Sequence, residues 1–192
     1  MSFLRPVLKG WVGEAKTKLT QRIFLNSKEY HSFNNLIIQE ESGSTQIDHI
    51  VVSKYGVFVI ETKNMNGWIF GSERNDRWTQ VFPNKKKVPF QNPLRQNYRH
   101  TMSLSKYLGM NHNKVFSIVV FWGDCKFKTE IPENVVRGGM LGCTKYIKSK
   151  SEILLADDEV TSICDQLQTG KANMNIFSGW RHVRSIKKRL RK

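Results

Sequence analysis

The stretch from Val115 to Trp122 is apolar almost throughout and does not alternate. A strand with one wet face alternates apolar and polar residues, so this run reads as a strand buried on both faces. Covering both faces takes further layers packed against the sheet. The longest uninterrupted apolar stretch, Ile118 to Trp122, is far short of the roughly 20 residues that span a bilayer. No transmembrane segment is expected.

The rest of the pattern supplies those layers. Leu8, Trp11, Val12, Ala15, Leu19 and Ile23 fall at spacings of three and four, which predicts an amphipathic helix. Phe33 to Gln39, Gln46 to Ser53 and Val57 to Thr62 are short and rich in Val, Ile and Phe, with turns at Glu41 to Ser44 and at Lys54-Tyr55-Gly56. They read as strands. Asn66-Gly67 and Asn75-Asp76 suit hairpin corners around strands Trp68 to Phe70 and Trp78 to Phe82. Pro83 to Pro89 reads as a basic loop. Asn92-Pro93 opens a helix with a stripe of Leu94, Tyr98, Met102, Ser105 and Leu108, which Gly109 stops. Val135-Val136 suits a further strand, and Ala156 to Gln168 a further helix. The fold class is α/β or α+β, with helices against a mixed central sheet. With 192 residues the chain suits one domain, placed at 1–170, with a tail at 171–192.

Charge points to partners. The chain carries 31 Lys and Arg against 16 Asp and Glu, a formal net charge of +15. The tail from Ile176 holds seven cations and no acid: Arg181, Arg184, Lys187, Lys188, Arg189, Arg191 and Lys192. The remaining 24 of the 31 cations still exceed the 16 acids, so the body is basic too. Such an excess attracts polyphosphate, with Lys85, Lys86, Lys87 and the tail as phosphate contacts. Trp11, Trp68 and Trp78 can stack on bases or fill the core. Ile176, Trp180, Val183 and Leu190 lie loosely along one side of a tail helix, an alternative pattern for contact with a membrane surface. Cys125, Cys143 and Cys164 are odd in number and lack a C-x-x-C pair, so neither a disulfide framework nor a zinc site is expected. The start offers no apolar core for a signal peptide. A soluble, cytoplasmic protein is expected.

Acid-x-Lys occurs three times, at Glu14-Ala15-Lys16, Glu61-Thr62-Lys63 and Asp124-Cys125-Lys126. Chance alone gives about two copies at this composition, so only context separates them. Glu61-Thr62-Lys63 ends the strand Val57 to Ile60, and period two puts Glu61 and Lys63 on one face with Val57 and Val59. Asp48 shares a face with Ile50 and Val52 on the preceding strand. A two-residue turn at Tyr55-Gly56 sets Asp48 opposite Lys63; a four-residue loop, Ser53 to Gly56, sets it opposite Glu61. Both registers gather the three polar groups, and a three-residue loop does not. Two carboxylates brought together repel, and Mg²⁺ or Mn²⁺ would relieve that with oxygen ligands and lower the pKa of a bound water. The lysine could stabilise charge developing on a phosphate. The plainer alternative is a cross-strand Asp48–Lys63 ion pair. Glu14 and Lys18 suit a surface pair at i,i+4. His49 points to the opposite face as a packed histidine, and Gln96 alone is an ordinary helix-surface amide.

Gly13-Glu14, Gln46-Ile47-Asp48-His49, Gly56 to Asn64, Gly67-Trp68-Ile69, Trp78, Asn92-Pro93 and Gln96 together resemble the nuclease-related domain family (NERD), placed in the PD-(D/E)xK nuclease superfamily. The resemblance covers about Gly13 to Phe121. It implies a restriction-endonuclease-like α-β-β-β-α-β core and a divalent-metal nuclease acting on nucleic acid, DNA rather than RNA. Asp48 and Glu61 then match the metal carboxylates, the Thr62 carbonyl a further ligand, Lys63 the catalytic lysine, Glu14 an accessory acid and Gln96 the polar residue of the second helix. Related nucleases are often dimers, so a homodimer is an expectation. A non-catalytic nucleic-acid-binding module of the same fold is the alternative.

Overall fold

The structure, a computed structural model, describes residues 25–40, 43–137 and 140–170. The helix expected over Leu8 to Ile23, with Trp11, Glu14 and Lys18, and the cationic tail lie outside the described residues. The chain runs β1 (His31–Glu40), β2 (Gly43–Ser53), β3 (Gly56–Asn64), β4 (Gly67–Phe70), β5 (Arg77–Val81), β6 (Lys87–Gln91), α1 (Pro93–Leu108), β7 (Val115–Trp122), β8 (Cys125–Phe127), β9 (Val135–Arg137), α2 (Met140–Ser149) and α3 over 157–170. It is a mixed α+β protein built on a restriction-endonuclease-like core.

The five-stranded sheet has the order β1-β2-β3-β7-β9. Its first three strands form an antiparallel meander, whereas β7 lies parallel to β3 and β9 parallel to β7. The non-alternating run of β7 is explained by its neighbours: Val115, Ile118, Val119, Val120, Phe121 and Trp122 are all buried. On one face Ile50, Val52, Val57 and Val59 pack against Leu104 and Leu108 of α1 and Val160, Ile163 and Leu167 of α3. On the other, Val51, Phe58, Ile60, Ile118 and Val120 meet Cys143 and Ile147 of α2. Period two in the strands thus feeds two separate apolar layers.

Ser53 pairs with Gly56 and His49 with Ile60, so the β2–β3 turn is Lys54-Tyr55. The two-residue turn therefore sits one residue earlier than Tyr55-Gly56, while the register is the one expected from the four-residue loop. Asp48 is brought to the level of Glu61 rather than Lys63.

A second sheet, ordered β6-β5-β4-β8, grows from the first. Lys63 is level with Phe121 and Gly67 with Cys125, so β3–β4 and β7–β8 keep one 58-residue offset through the bend between the sheets. Backbone bonds from Met65 to Trp122 (2.9 Å) and from Gly67 to Asp124 (2.8 Å) hold the bend. Gly123 makes it possible: its φ is +89°, and a Cβ there would stand 2.3 Å from the Met65 carbonyl oxygen. Under this sheet Ile69, Trp78, Val119, Phe121 and Cys125 form a third core.

Two expectations are corrected here. The basic loop is shorter than Pro83 to Pro89, because Lys87 to Gln91 pair with β5 as β6. Pro89 is tolerated because β6 is an edge strand. In α1 the Asn92 N-cap, accepting from the Leu94 N–H, and the left-handed Gly109 C-cap stand as expected. Its buried face, however, is Asn97, Thr101, Leu104, Ser105 and Leu108, while Tyr98 and Met102 are exposed. The N-terminal half of the helix meets backbone carbonyls as well as apolar groups, and polar side chains suit it. Asn97 Nδ2 reaches Val59 O (3.0 Å), Ser117 Oγ (2.8 Å) and Ile118 O (3.0 Å), fastening the helix across β3 and β7.

Candidate active site

The site forms where strands part. The β2–β3 ladder runs from Ser53–Gly56 to His49–Ile60; beyond it, β2 continues along β1 while β3 continues along β7. Asp48 and Glu61 stand at this fork. On the other side of Asp48 the β1–β2 ladder passes over Asn35, whose φ is +56°. Asn tolerates that conformation better than most residues. Asp48 thus lies on a stretch released from regular pairing on both flanks.

Lys63 bridges the cluster. Its ammonium donates to Glu61 Oε1 at 2.7 Å and to Gln96 Oε1 of α1 at 2.9 Å. Glu61 is buried at 4% exposure. The ion pair therefore joins Lys63 to Glu61, two residues away on the same strand, and not to Asp48 across the fork. Asp48 Oδ2 instead accepts from Thr62 Oγ1 at 3.3 Å. Burial, and then the Glu61 carboxylate, hold the Asp48 carboxyl above its ordinary range; hydrogen bonds from Thr62 and the charge of Lys63 pull the other way.

Sequence reasoning missed His100. One turn after Gln96 on α1, it places Nδ1 3.6 Å from Glu61 Oε2, beyond hydrogen-bond reach. Burial lowers its pKa, with the charges of Lys63 and Arg99 adding to the fall and Asp48 opposing it. The ring is thus neutral near pH 7, and the contact is not a salt bridge. The signal was the i,i+4 spacing from Gln96. Gln96, expected as the polar residue of the second helix, accepts from Lys63 and is not a plain surface amide.

The remaining candidates divide. His49 is fully buried on the opposite face, with Nδ1 2.6 Å from Asn34 Oδ1, a packed histidine as expected. Trp78 is core: it is fully buried, stacks on Phe121 at 5.9 Å and donates to Ser72 O at 2.9 Å, so it is closed to bases. Trp68 is 50% exposed. Lys85, Lys86 and Lys87 are exposed at the β5–β6 hairpin tip. Glu14, Arg181, Arg184, Lys187, Lys188 and Arg189 lie outside the described residues.

No group of three or more His, Cys, Asp and Glu among the described residues forms a metal cage. The donors at the fork are Asp48 and Glu61, with the Thr62 carbonyl next to Glu61 in the chain. An all-oxygen set of so few protein ligands suits Mg²⁺ or Mn²⁺, which keep waters and take substrate phosphate oxygens, and does not suit zinc. Burial is the larger cause of the raised Asp48 pKa and the Glu61 carboxylate the next, and a cation would relieve that repulsion. The residues present fit such an ion. No helix among the described residues is long and apolar enough to cross a membrane.

A parallel β3–β7 pair preceded by an antiparallel meander, with an acid-x-Lys strand end facing a helix, defines a nuclease-like α/β core. The nuclease-related domain family matches residues 9–122, and the chain belongs to that family. An uncharacterized protein of Bacillus anthracis is 38% identical over 159 residues, an alignment covering 80% of this chain and 74% of the relative.

Proposed function

We propose that the chain is a metal-dependent nuclease that hydrolyses phosphodiester bonds, with DNA as its substrate. The observation that carries this is the Lys63 ammonium, held at 2.7 Å and 2.9 Å by Glu61 and Gln96 beside an Asp48 carboxyl whose charged form is disfavoured by burial and then by Glu61. Asp48, Glu61 and the main-chain carbonyl of Thr62 would hold Mg²⁺ or Mn²⁺. When bound, such an ion supplies Lewis-acid polarisation of the phosphate and a more acidic water.

The protein's own groups have separable tasks. Lys63 offers a fixed positive charge to the phosphate oxygens, where charge builds in the transition state. Gln96 and Glu61 aim it, so no reorganisation is needed at the moment of reaction. Neutral His100 walls the site from α1 without competing for phosphate. Lys85, Lys86, Lys87 and the tail cations Arg181, Arg184, Lys187, Lys188 and Arg189 position the backbone of the substrate without attacking it. One observation favours the second reading, a non-catalytic DNA-binding module: Glu61 is already neutralised by Lys63.

The test is cleavage of labelled duplex and single-stranded DNA with Mn²⁺ or Mg²⁺ against EDTA. Cleavage should need the cation and disappear in Asp48→Ala and Lys63→Ala, with DNA binding retained. Metal-independent cutting, or full activity in either variant, overturns the assignment.

A further inference from the structure

The outer face of the second sheet is built unlike a resting protein surface. The β4–β8 register sets Trp68 level with Lys126, and one strand step on, Phe70 shares that face with Lys128. On the other side β4 pairs with β5 and β5 with β6, which brings Arg77 and Lys87 to the same face. Two large aromatics are left in water, Trp68 at 50% and Phe70 at 37% exposure. The four strands contain no Asp or Glu. None of Arg77, Lys87, Lys126 and Lys128 is ion-paired among the described residues. The Lys128 ammonium lies 4.7 Å from the centroid of the Trp68 ring.

We propose that this face is a docking platform for single-stranded nucleic acid, with bases stacked on Trp68 and Phe70 and phosphates held by the four cations. Charge complementarity selects the occupant. Aromatic planes between unpaired cations offer a strand what it needs, a π-surface for each unstacked base and a positive track for its backbone. A duplex hides its base faces and can use only the cations. An acidic peptide would use the cations and leave the aromatics in water.

The platform is tied to the candidate active site by the chain itself. Trp68 follows Lys63 by five residues, a reach of at most about 18 Å. The interval is odd, so Trp68 leaves the strand path on the face opposite Lys63, and Ile69 is the residue that joins Phe121, level with Lys63, in the core. The platform therefore adjoins the site without sharing its face; it deepens the nuclease assignment by naming the form of its substrate, and rests on that assignment only for that.

Binding is measured by fluorescence anisotropy with a labelled 20-nucleotide oligo(dT) and with a 20-base-pair duplex, both in EDTA, using the full chain. Trp68→Ala should weaken oligo(dT) binding by about tenfold or more and leave duplex binding within about twofold. Trp68→Phe keeps an aromatic plane and should bind oligo(dT) within about threefold of wild type. Lys126→Gln combined with Lys128→Gln should flatten the salt dependence by about 0.7 for each phosphate that is no longer neutralised. Equal thermal midpoints show that the variants fold. Absence of oligo(dT) binding, an unaffected Trp68→Ala variant, or equal losses for strand and duplex would each overturn the platform. So would Trp68-dependent adsorption to phosphatidylserine vesicles with oligo(dT) binding unchanged. A chain that binds oligo(dT) through Trp68 but cuts nothing with Mn²⁺ refutes the nuclease and leaves the platform standing.

Discussion

Asn97 is the side chain that fastens α1 to the sheet, and its removal can be worked through in numbers. It is fully buried, and its Nδ2 lies 2.8–3.0 Å from two backbone carbonyls and one hydroxyl. The amide orientation follows from that network, because the reverse would set oxygen against three oxygens. Asn97→Leu keeps the volume and deletes the donors. Each buried acceptor left without a partner costs about 1–3 kcal/mol, and the low end applies to carbonyls with a second lone pair, giving about 2 kcal/mol. Asn97→Ala adds a void worth about 1 kcal/mol. At a urea slope of about 2 kcal/mol per M, the midpoint should fall by about 1 M for Leu and about 1.5 M for Ala. Asn97→Asp should be worst at neutral pH, where a carboxylate faces the same oxygens, and should recover in part as acid restores one donor. Arg99→Ala, on the exposed side of the helix, should stay within about 0.5 kcal/mol. Urea unfolding followed by tryptophan fluorescence measures all four. An Asn97→Leu variant within about 0.5 kcal/mol of wild type would falsify the idea that this amide anchors the helix.

Gln96→Ala removes one of the two groups aiming Lys63 and should cut turnover about tenfold with little change in KM for DNA, read from initial rates in Mn²⁺. Asp48→Asn should raise the thermal midpoint at pH 7 in EDTA. The Asp48 carboxyl is held above its unfolded value, so its stabilising contribution is full below that value and is lost as pH rises through the folded one. The difference between the two proteins should shrink toward acid, and an unchanged difference from pH 7 to pH 4 would contradict it. Gly123→Ala should destabilise by more than about 2 kcal/mol in the same urea assay, since it adds left-handed strain to a clash with the Met65 carbonyl.

The strands are legible because both of their faces are buried in dry layers, which leaves unbroken runs of Val, Ile and Phe in the sequence. Period two then puts Glu61 and Lys63 on one face, and Asp48 joins them in two of the three registers the turn allows. The turn falls one residue away from its expected place because Tyr55-Gly56 carries the glycine signal, whereas Gly56 pairs with Ser53 as the first residue of β3. For α1 the caps are legible and the face is not: hydropathy selects Tyr98 and Met102, but the surface beneath is backbone carbonyl, which selects Asn97. His100 escapes notice for the same reason, since a polar residue on an amphipathic helix reads as solvent-facing. β6 carries a proline and begins with lysine, and α2 includes Gly142 and Thr144; both are held by neighbours rather than by propensity. Sites that depend on long-range pairing leave only such faint local traces.

The constant 58-residue offset of β7–β8 from β3–β4 also bears on how the protein assembles. β2 finds β3 across a two-residue turn, which is fast and local. β3 finds β7 only after the whole β4–β6 and α1 segment has been drawn into a closed loop. Closing some 50 residues costs about 3.5 kcal/mol of chain entropy before a single contact is repaid. The meander is thus expected to form early with Asp48 and Glu61 already side by side, and α1 to arrive late, bringing Gln96 to Lys63. In the interval Lys63 has Glu61 but not Gln96 to aim it. The full cluster of Asp48, Glu61, Lys63 and Gln96 therefore exists only once the long loop has shut, so that its appearance during refolding reports completion of the fold rather than formation of the strands that carry it.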